Sequence, residues 1–168
     1  MKRAYSLLTV FFGLVFILFA CGDDDGVMER PDNTTVSYQL TLNDWLLLYY
    51  DVEVTYQDVH GVAHTERIGQ ENWQFKDKDE GELKNLYLKA VATSRGTFPT
   101  LTDSIKTIYF SCDYRVDYYS KKTSAKSIHR APYYVTVKKE NIETFINSNP
   151  TIKLFECEWK DLSTIDGQ

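Results

Sequence analysis

Apolar and polar residues alternate along much of the chain, which is the pattern of β-strands that bury one face. The alternation predicts strands at 35–42 and 52–57, then a hairpin turn at Asp58–Gly61 and a return strand at 62–68. The strand at 105–119 is long enough that we expect a bend or a β-bulge in it. The remaining predicted strands are 86–93, 133–138 and 151–159.

Two short helical segments interrupt this pattern. Asn43 or Asp44 can cap a helical turn through 45–48. Ile142, Phe145 and Ile146 lie at helical spacing before Pro150, which ends the second segment. About seven strands, each apolar on one face, predict a mainly β protein with a single antiparallel β-sandwich and one or two short helices.

The first residues have the pattern of a secretory signal. Residues 7–19 are almost wholly apolar and follow Lys2 and Arg3. The run is short for a bilayer span, which takes about 20 apolar residues. An uncleaved anchor helix over 4–20 is the alternative interpretation.

The residues that follow carry a family resemblance. Leu18-Phe19-Ala20-Cys21 resembles the lipobox of bacterial lipoproteins, which implies cleavage before Cys21 and its acylation, palmitate included. The aspartates Asp23, Asp24 and Asp25 resemble the acidic export signal of Bacteroidetes surface lipoproteins, although a charge run is also typical of a solvated tether. The resemblance implies a lipid anchor in the outer membrane and display on the cell surface, with a periplasm-facing position as the alternative.

The segment 38–61 is also similar to the start of small Bacteroidetes lipoproteins, which implies an immunoglobulin-like or transthyretin-like sandwich. The predicted parts are a signal peptide at 1–20, a lipidated cysteine with an acidic flexible tether at 21–34, a β-sandwich domain at 35–163 and a C-terminal tail at 164–168. Removing 1–20 changes the net charge from −5 to −7, with 17 basic against 24 acidic residues. This charge opposes binding to nucleic acid.

Cys112 and Cys157 are the thiols that remain once Cys21 is lipidated. Outside the cytoplasm they predict either a disulfide or two buried free cysteines. Immunoglobulin domains place a tryptophan between their paired cysteines, and this chain has none between positions 112 and 157.

Tyrosine pairs predict a binding surface for a glycan or a protein. They flank the segment 120–132, which is interpreted as a loop and carries local positive charge. A solvated hairpin loop with packed tyrosines is the alternative. The candidate residues are Tyr118, Tyr119, Lys121, Lys122, Lys126, Arg130, Tyr133 and Tyr134. Asp103-Ser104-Ile105 resembles the O-glycosylation motif of exported Bacteroidetes proteins, with Ser104 as the acceptor in an exposed loop.

The chain carries none of the familiar catalytic or nucleotide-binding motifs, and the sequence predicts no metal or cofactor. We therefore expect a non-enzymatic binding or assembly module for a glycan or protein ligand, held at the membrane by its N-terminal lipid. One alternative is a structural subunit of an envelope complex or pilus. Another is a small hydrolase that uses Asp113, Asp117 and His129.

Overall fold

Two four-stranded antiparallel sheets form a β-sandwich-like fold in the computed structural model, which describes residues 33–80, 85–120 and 125–160. The strand orders are β4-β1-β6-β7 and β3-β2-β5-β8. The strands are β1 (Thr34–Leu42), β2 (Tyr50–Gln57), β3 (Ala63–Ile68), β4 (Asn72–Asp79), β5 (Leu86–Ser94), β6 (Thr107–Tyr119), β7 (Lys126–Lys138) and β8 (Thr151–Trp159). The predicted mainly β sandwich is confirmed.

The helices are those that the sequence predicts. Helix α1 (Asp44–Tyr49) begins after Asn43, whose side chain accepts a hydrogen bond from the Leu46 backbone N–H. A 3-10 turn (Lys139–Asn141) leads into α2 (Ile142–Ser148), which joins β7 to β8 across the two sheets. α1 likewise joins β1 to β2 across the sheets, whereas the first two strands of an immunoglobulin domain share one sheet.

The core lies between the inner faces of the sheets and is rich in aromatic rings. Tyr49 and Tyr50 both meet Phe110 edge-on, with ring centroids 6.0 and 5.8 Å apart. Tyr38 and Tyr56 are also buried, with ring centroids 5.8 Å apart. Tyr38 Oη donates to the Gln57 carbonyl at 2.8 Å, so this buried hydroxyl has its partner.

Asp58 organises the turn between β2 and β3. Its side chain accepts from the backbone N–H groups of His60 and Val62, each at 2.9 Å, and Gly61 supplies the positive φ of 77°. Burial opposes ionisation of Asp58, but these bonds and one from His64 together lower its pKa. The predicted hairpin turn is confirmed.

Two edge regions differ from the prediction. Strand β4 is missing from the predicted set, because after Trp73 and Phe75 its inward positions are the polar Asp77 and Asp79. Strand β7 begins at Lys126, so the predicted loop over 120–132 is wrong for residues 126–132. Their alternation is weak because an edge strand exposes even the residues that lean inward.

A bulge lies where β6 pairs with β7, but its extra residue belongs to β7 and not to β6, where the sequence predicted it. Cys112 pairs with Tyr133 and Tyr114 pairs with Arg130, so Asp113 alone faces both Ala131 and Pro132. Pro132 fits there because β7 is an edge strand and a bulge leaves one residue outside the ladder. The bulge reverses the inward and outward order of β7, so His129 and Tyr134 share a face although they are five residues apart.

Candidate functional site

The outward side chains of the sheet β4-β1-β6-β7 form the candidate site, called the open face below. Antiparallel partners lie side by side on one face, so the strand registers define rows across the sheet. The central row is Gln74, Gln39, Arg115 and His129, and the next is Lys76, Ser37, Asp117 and Ser127. Neighbouring strands are about 4.8 Å apart, so a four-strand row spans roughly 14 Å.

A polar depression of about 300 Å³ lies at the middle of the open face. Asp113, which lies opposite the bulge, lines this depression. A neighbouring depression of about 520 Å³ shares Gln39, Arg115 and Ser127 with it. Arg115 Nε donates to Asp117 Oδ1 at 2.9 Å, which positions the guanidinium over the sheet. The lining residues of the first depression are Gln39, Thr41, Asp113, Tyr114, Arg115, Ser127 and His129.

Two exposed tyrosines stand on the open face beyond Asp113. Tyr109 is 45% exposed and Tyr134 is 69% exposed, and their ring centroids are 5.8 Å apart. Asn43 braces the Tyr109 strand, since its Nδ2 donates to the Tyr109 carbonyl at 2.6 Å and its Oδ1 accepts from Ser111 N–H at 3.0 Å. The two rings therefore form an aromatic pair on two neighbouring strands, β6 and β7, and not on a loop.

The structure divides the predicted tyrosine surface between the two sides of the sheet. Tyr134 and the half-buried Tyr119 face outward, whereas Tyr118 is 2% exposed and Tyr133 packs against the core. Tyr119 is eight residues from the β6 partner of Tyr134, roughly 27 Å along the strand. The predicted residues therefore do not make one continuous aromatic patch.

The basic residues of that surface are also separated. Lys126 and Arg130 pair with the inward positions Tyr118 and Tyr114, and Arg130 is exposed because β7 is an edge strand. Lys121 and Lys122 lie outside the described residues, as do Cys21, Asp23, Asp24, Asp25, the signal peptide and the C-terminal tail. Ser104 lies in an exposed segment, where its hydroxyl is 2.8 Å from that of Thr102, and its glycosylation stays a prediction.

Cys112 and Cys157 are free thiols in the structure, which agrees with the second of the two predicted alternatives. Tyr114 Oη lies 3.3 Å from Cys157 Sγ, and Tyr114 is the next inward residue after Cys112 on β6. The tyrosine side chain thus occupies the place beside Cys157. Burial, with a smaller contribution from Asp113, raises the pKa of the Cys112 thiol to about 12, which leaves it a small apolar core residue.

Sequence reasoning missed Tyr109, Gln39, Thr41 and Arg115 as site residues. The alternation of 105–119 already predicts that Tyr109, Asp113 and Arg115 face away from the core. In the described ranges, no three histidine, cysteine, aspartate or glutamate side chains converge as metal ligands would. Neither helix of the described part of the chain has the length and apolar character needed to cross a bilayer.

Comparison with protein-family models, curated proteins and solved structures found no match for this chain.

Proposed function

We propose that this protein is a lipid-anchored outer-membrane protein, displayed at the cell surface, whose β-sandwich binds a saccharide on the open face. The motif at residues 18–21 and the aspartates that follow it support the anchor and its location. The observation that carries the binding proposal is the exposed Tyr109–Tyr134 pair beside the polar depression.

The chemistry of the open face suits a sugar. A pyranose ring offers a C–H face that packs on an aromatic ring and a rim of hydroxyl groups that both donate and accept hydrogen bonds. Tyr109 and Tyr134 supply the aromatic surface. Farther along the face, Asp113 and then Gln39 and Arg115 supply acceptors and donors fixed on strands.

A protein ligand suits this face less well. The cores of protein interfaces are depleted of charged side chains, because burying a charge without full compensation is costly. The middle of the open face carries Asp113, Arg115 and Asp117, and among its described residues the large hydrophobic side chains that are well exposed are Tyr109 and Tyr134. Sugar hydroxyls can hydrogen-bond to these charged groups without removing them from water.

The spacing of the carboxylates favours binding over hydrolysis. Glycosidases hold two carboxyl groups about 5–10 Å apart across the scissile bond. Asp113 and Asp117 are four residues apart on one strand face, about 13 Å between Cα atoms. Arg115 also holds the Asp117 carboxylate in an ion pair at 2.9 Å.

Glycan-array binding of the detergent-solubilised mature protein tests the proposal. We expect the double variant Tyr109→Ala/Tyr134→Ala to lose about tenfold or more in affinity, since each ring contributes on the order of 1 kcal/mol. Phe98→Ala removes a comparably exposed ring (40%) away from the sheet and serves as the matched control. The absence of saccharide binding, or binding that survives the double variant, would overturn the proposal, as would capture of a protein ligand in place of a glycan.

The anchor has its own test. Cys21→Ala is expected to release the full chain from membranes, because acylation of Cys21 is what holds it there. Fractionation of cells, with Cys112→Ala as the control thiol, measures the release. Membrane retention of Cys21→Ala would instead support an uncleaved N-terminal helix.

A further inference from the structure

The open face carries charge opposite to that of the whole chain. Its outward cations are Lys76, Lys78, Arg115 and Lys138, against Asp113 and Asp117. Arg115 and Asp117 pair with each other, and Lys76, Lys78 and Lys138 form no ion pair within the described residues. The chain as a whole has a net charge of −5.

The lysines stand at the two ends of the face. Lys138 pairs with Thr107, next to Tyr109, and lines a depression of about 570 Å³ together with Lys106, Lys139 and Glu140. Lys76 lies in the row of Asp117. Ten residues of β6 separate Thr107 from Asp117, which is roughly 33 Å of strand. A ligand that reaches both ends is therefore an extended chain of several sugar units.

The middle of the face has a different character. Gln39, Thr41, Ser127 and His129 provide hydrogen-bonding groups there, and Asp113 provides an acceptor that would repel a nearby anion. Acidic groups of the ligand are thus favoured at the ends, and hydroxyl groups at the centre.

We propose that the ligand is an extended acidic polysaccharide that lies along β6, with sugar rings on Tyr109 and Tyr134 and anionic groups at the lysines of both ends. The proposal rests on the saccharide-binding function inferred above and specifies its substrate class. Local positive charge on an acidic protein steers an anionic chain to this face and away from the rest of the surface.

Matched polysaccharide pairs test the charge requirement. The detergent-solubilised mature protein is titrated with polygalacturonate against its methyl ester, and with dextran sulfate against dextran. We expect at least about fivefold tighter binding to one acidic member, and an affinity that falls as salt is raised. The two acidic polymers distinguish a carboxylated from a sulfated ligand.

Lys76→Gln/Lys138→Gln is expected to reduce acidic binding about fivefold or more and to leave neutral binding unchanged. Lys89→Gln/Lys153→Gln removes two lysines from the outer face of the other sheet and serves as the control. Equal affinity for acidic and neutral polymers, or acidic binding that is insensitive to Lys76 and Lys138, overturns the acidic ligand while leaving saccharide binding intact. Failure of every glycan to bind overturns both proposals.

Discussion

The outer faces of the two sheets have the same alternating design but use their charged side chains differently. On the sheet β3-β2-β5-β8, called the paired face below, Asp51 binds both Arg67 and Arg95, the latter at 3.0 Å. Glu156 accepts from Tyr87 Oη at 2.9 Å and from Lys153 Nζ at 3.1 Å. On the open face, Arg115 and Asp117 pair with each other, and Gln39, Asp113 and His129 line a depression.

This difference separates stability from recognition. Side chains that satisfy one another have little to offer a ligand, since a ligand must break those bonds before it can replace them. Side chains that meet mainly water can exchange it for a ligand at lower cost. We therefore expect substitutions on the paired face to change the free energy of unfolding, and those on the open face to change affinity.

The largest expected effect on stability comes from changing the register of β7, which the bulge between β6 and β7 determines. Deleting Thr136 shifts the residues on one side of it by one position, so that one segment of β7 exchanges its inward and outward positions. Either Val137 turns away from the core, or the bulge is lost and Tyr133 and Val135 turn away from it. We expect the free energy of unfolding to fall by more than about 3 kcal/mol, measured by urea denaturation.

Pro132→Ala keeps the residue count and serves as the control for that deletion. It is expected to change the free energy of unfolding by no more than about 1 kcal/mol, because the bulge geometry is retained. A deletion variant as stable as Pro132→Ala would contradict the role given to the bulge.

On the open face, Asp113→Asn is expected to weaken the binding of a neutral saccharide roughly fivefold, since it removes a charged acceptor from the depression. The free energy of unfolding should stay within about 0.5 kcal/mol of the wild-type value, as for other exposed substitutions. Calorimetric titration and thermal unfolding of the same sample measure the two effects. If Asp113→Asn lost stability but kept its affinity, Asp113 would contribute to stability and not to recognition.

On the paired face, Asp51→Asn is expected to lower the free energy of unfolding by up to about 1 kcal/mol, because the Asp51 side chain is partly exposed and solvent screens its ion pairs. Affinity for the saccharide should be unchanged. Glu53→Gln, which removes a negative charge two residues along the same face, is the control. Weaker binding in Asp51→Asn alone would show that this face takes part in recognition.

The smallest expected effect is the pH dependence of the difference in stability between wild type and Asp51→Asn. The hydrogen bond from Arg67, helped by the positive charges of Arg95 and Arg67, lowers the pKa of Asp51 in the folded protein. Its stabilising contribution is complete above the unfolded pKa of about 3.9 and is lost as pH falls through the lower folded value. Urea midpoints of wild type and Asp51→Asn should thus differ at pH 7 and converge in strong acid. A difference that persists at low pH would mean that Asp51 acts through packing.

Much of the fold follows from alternation because, after Thr34 at the start of β1, the buried positions of β1, β2, β5 and β6 are all hydrophobic. β4 breaks that rule because its inward Asp77 and Asp79 have partners at the sheet edge. Asp77 accepts from Val59 N–H at 3.3 Å, and Asp79 Oδ2 lies 3.4 Å from His60 Nδ1. Such partners come from a distant turn, so no local pattern reveals the strand.

The candidate site was less accessible to sequence reasoning. Alternation orients Tyr109 outward, but its partner could be either ring of Tyr133-Tyr134 until the phase of β7 is known. The inward and outward phase of β7 depends on the position of the bulge, and Pro132 alone does not reveal that position. The assembly of Gln39 with Arg115 likewise depends on the long-range pairing of β1 with β6.

The position of Thr34, where β1 begins, determines the end of the open face at which the preceding chain joins the sheet. β1 enters the sheet at the Tyr119 end of β6, since Thr35 pairs with Tyr119. If Cys21 carries the lipid, the thirteen residue steps from it to Thr34 reach at most roughly 45 Å. Tyr109 lies ten residues farther along β6, roughly another 33 Å. The chain before Thr34 thus joins the sheet at the end of β6 opposite to the tyrosine pair, so a lipid on Cys21 would leave that pair at the end of the open face remote from the point of attachment.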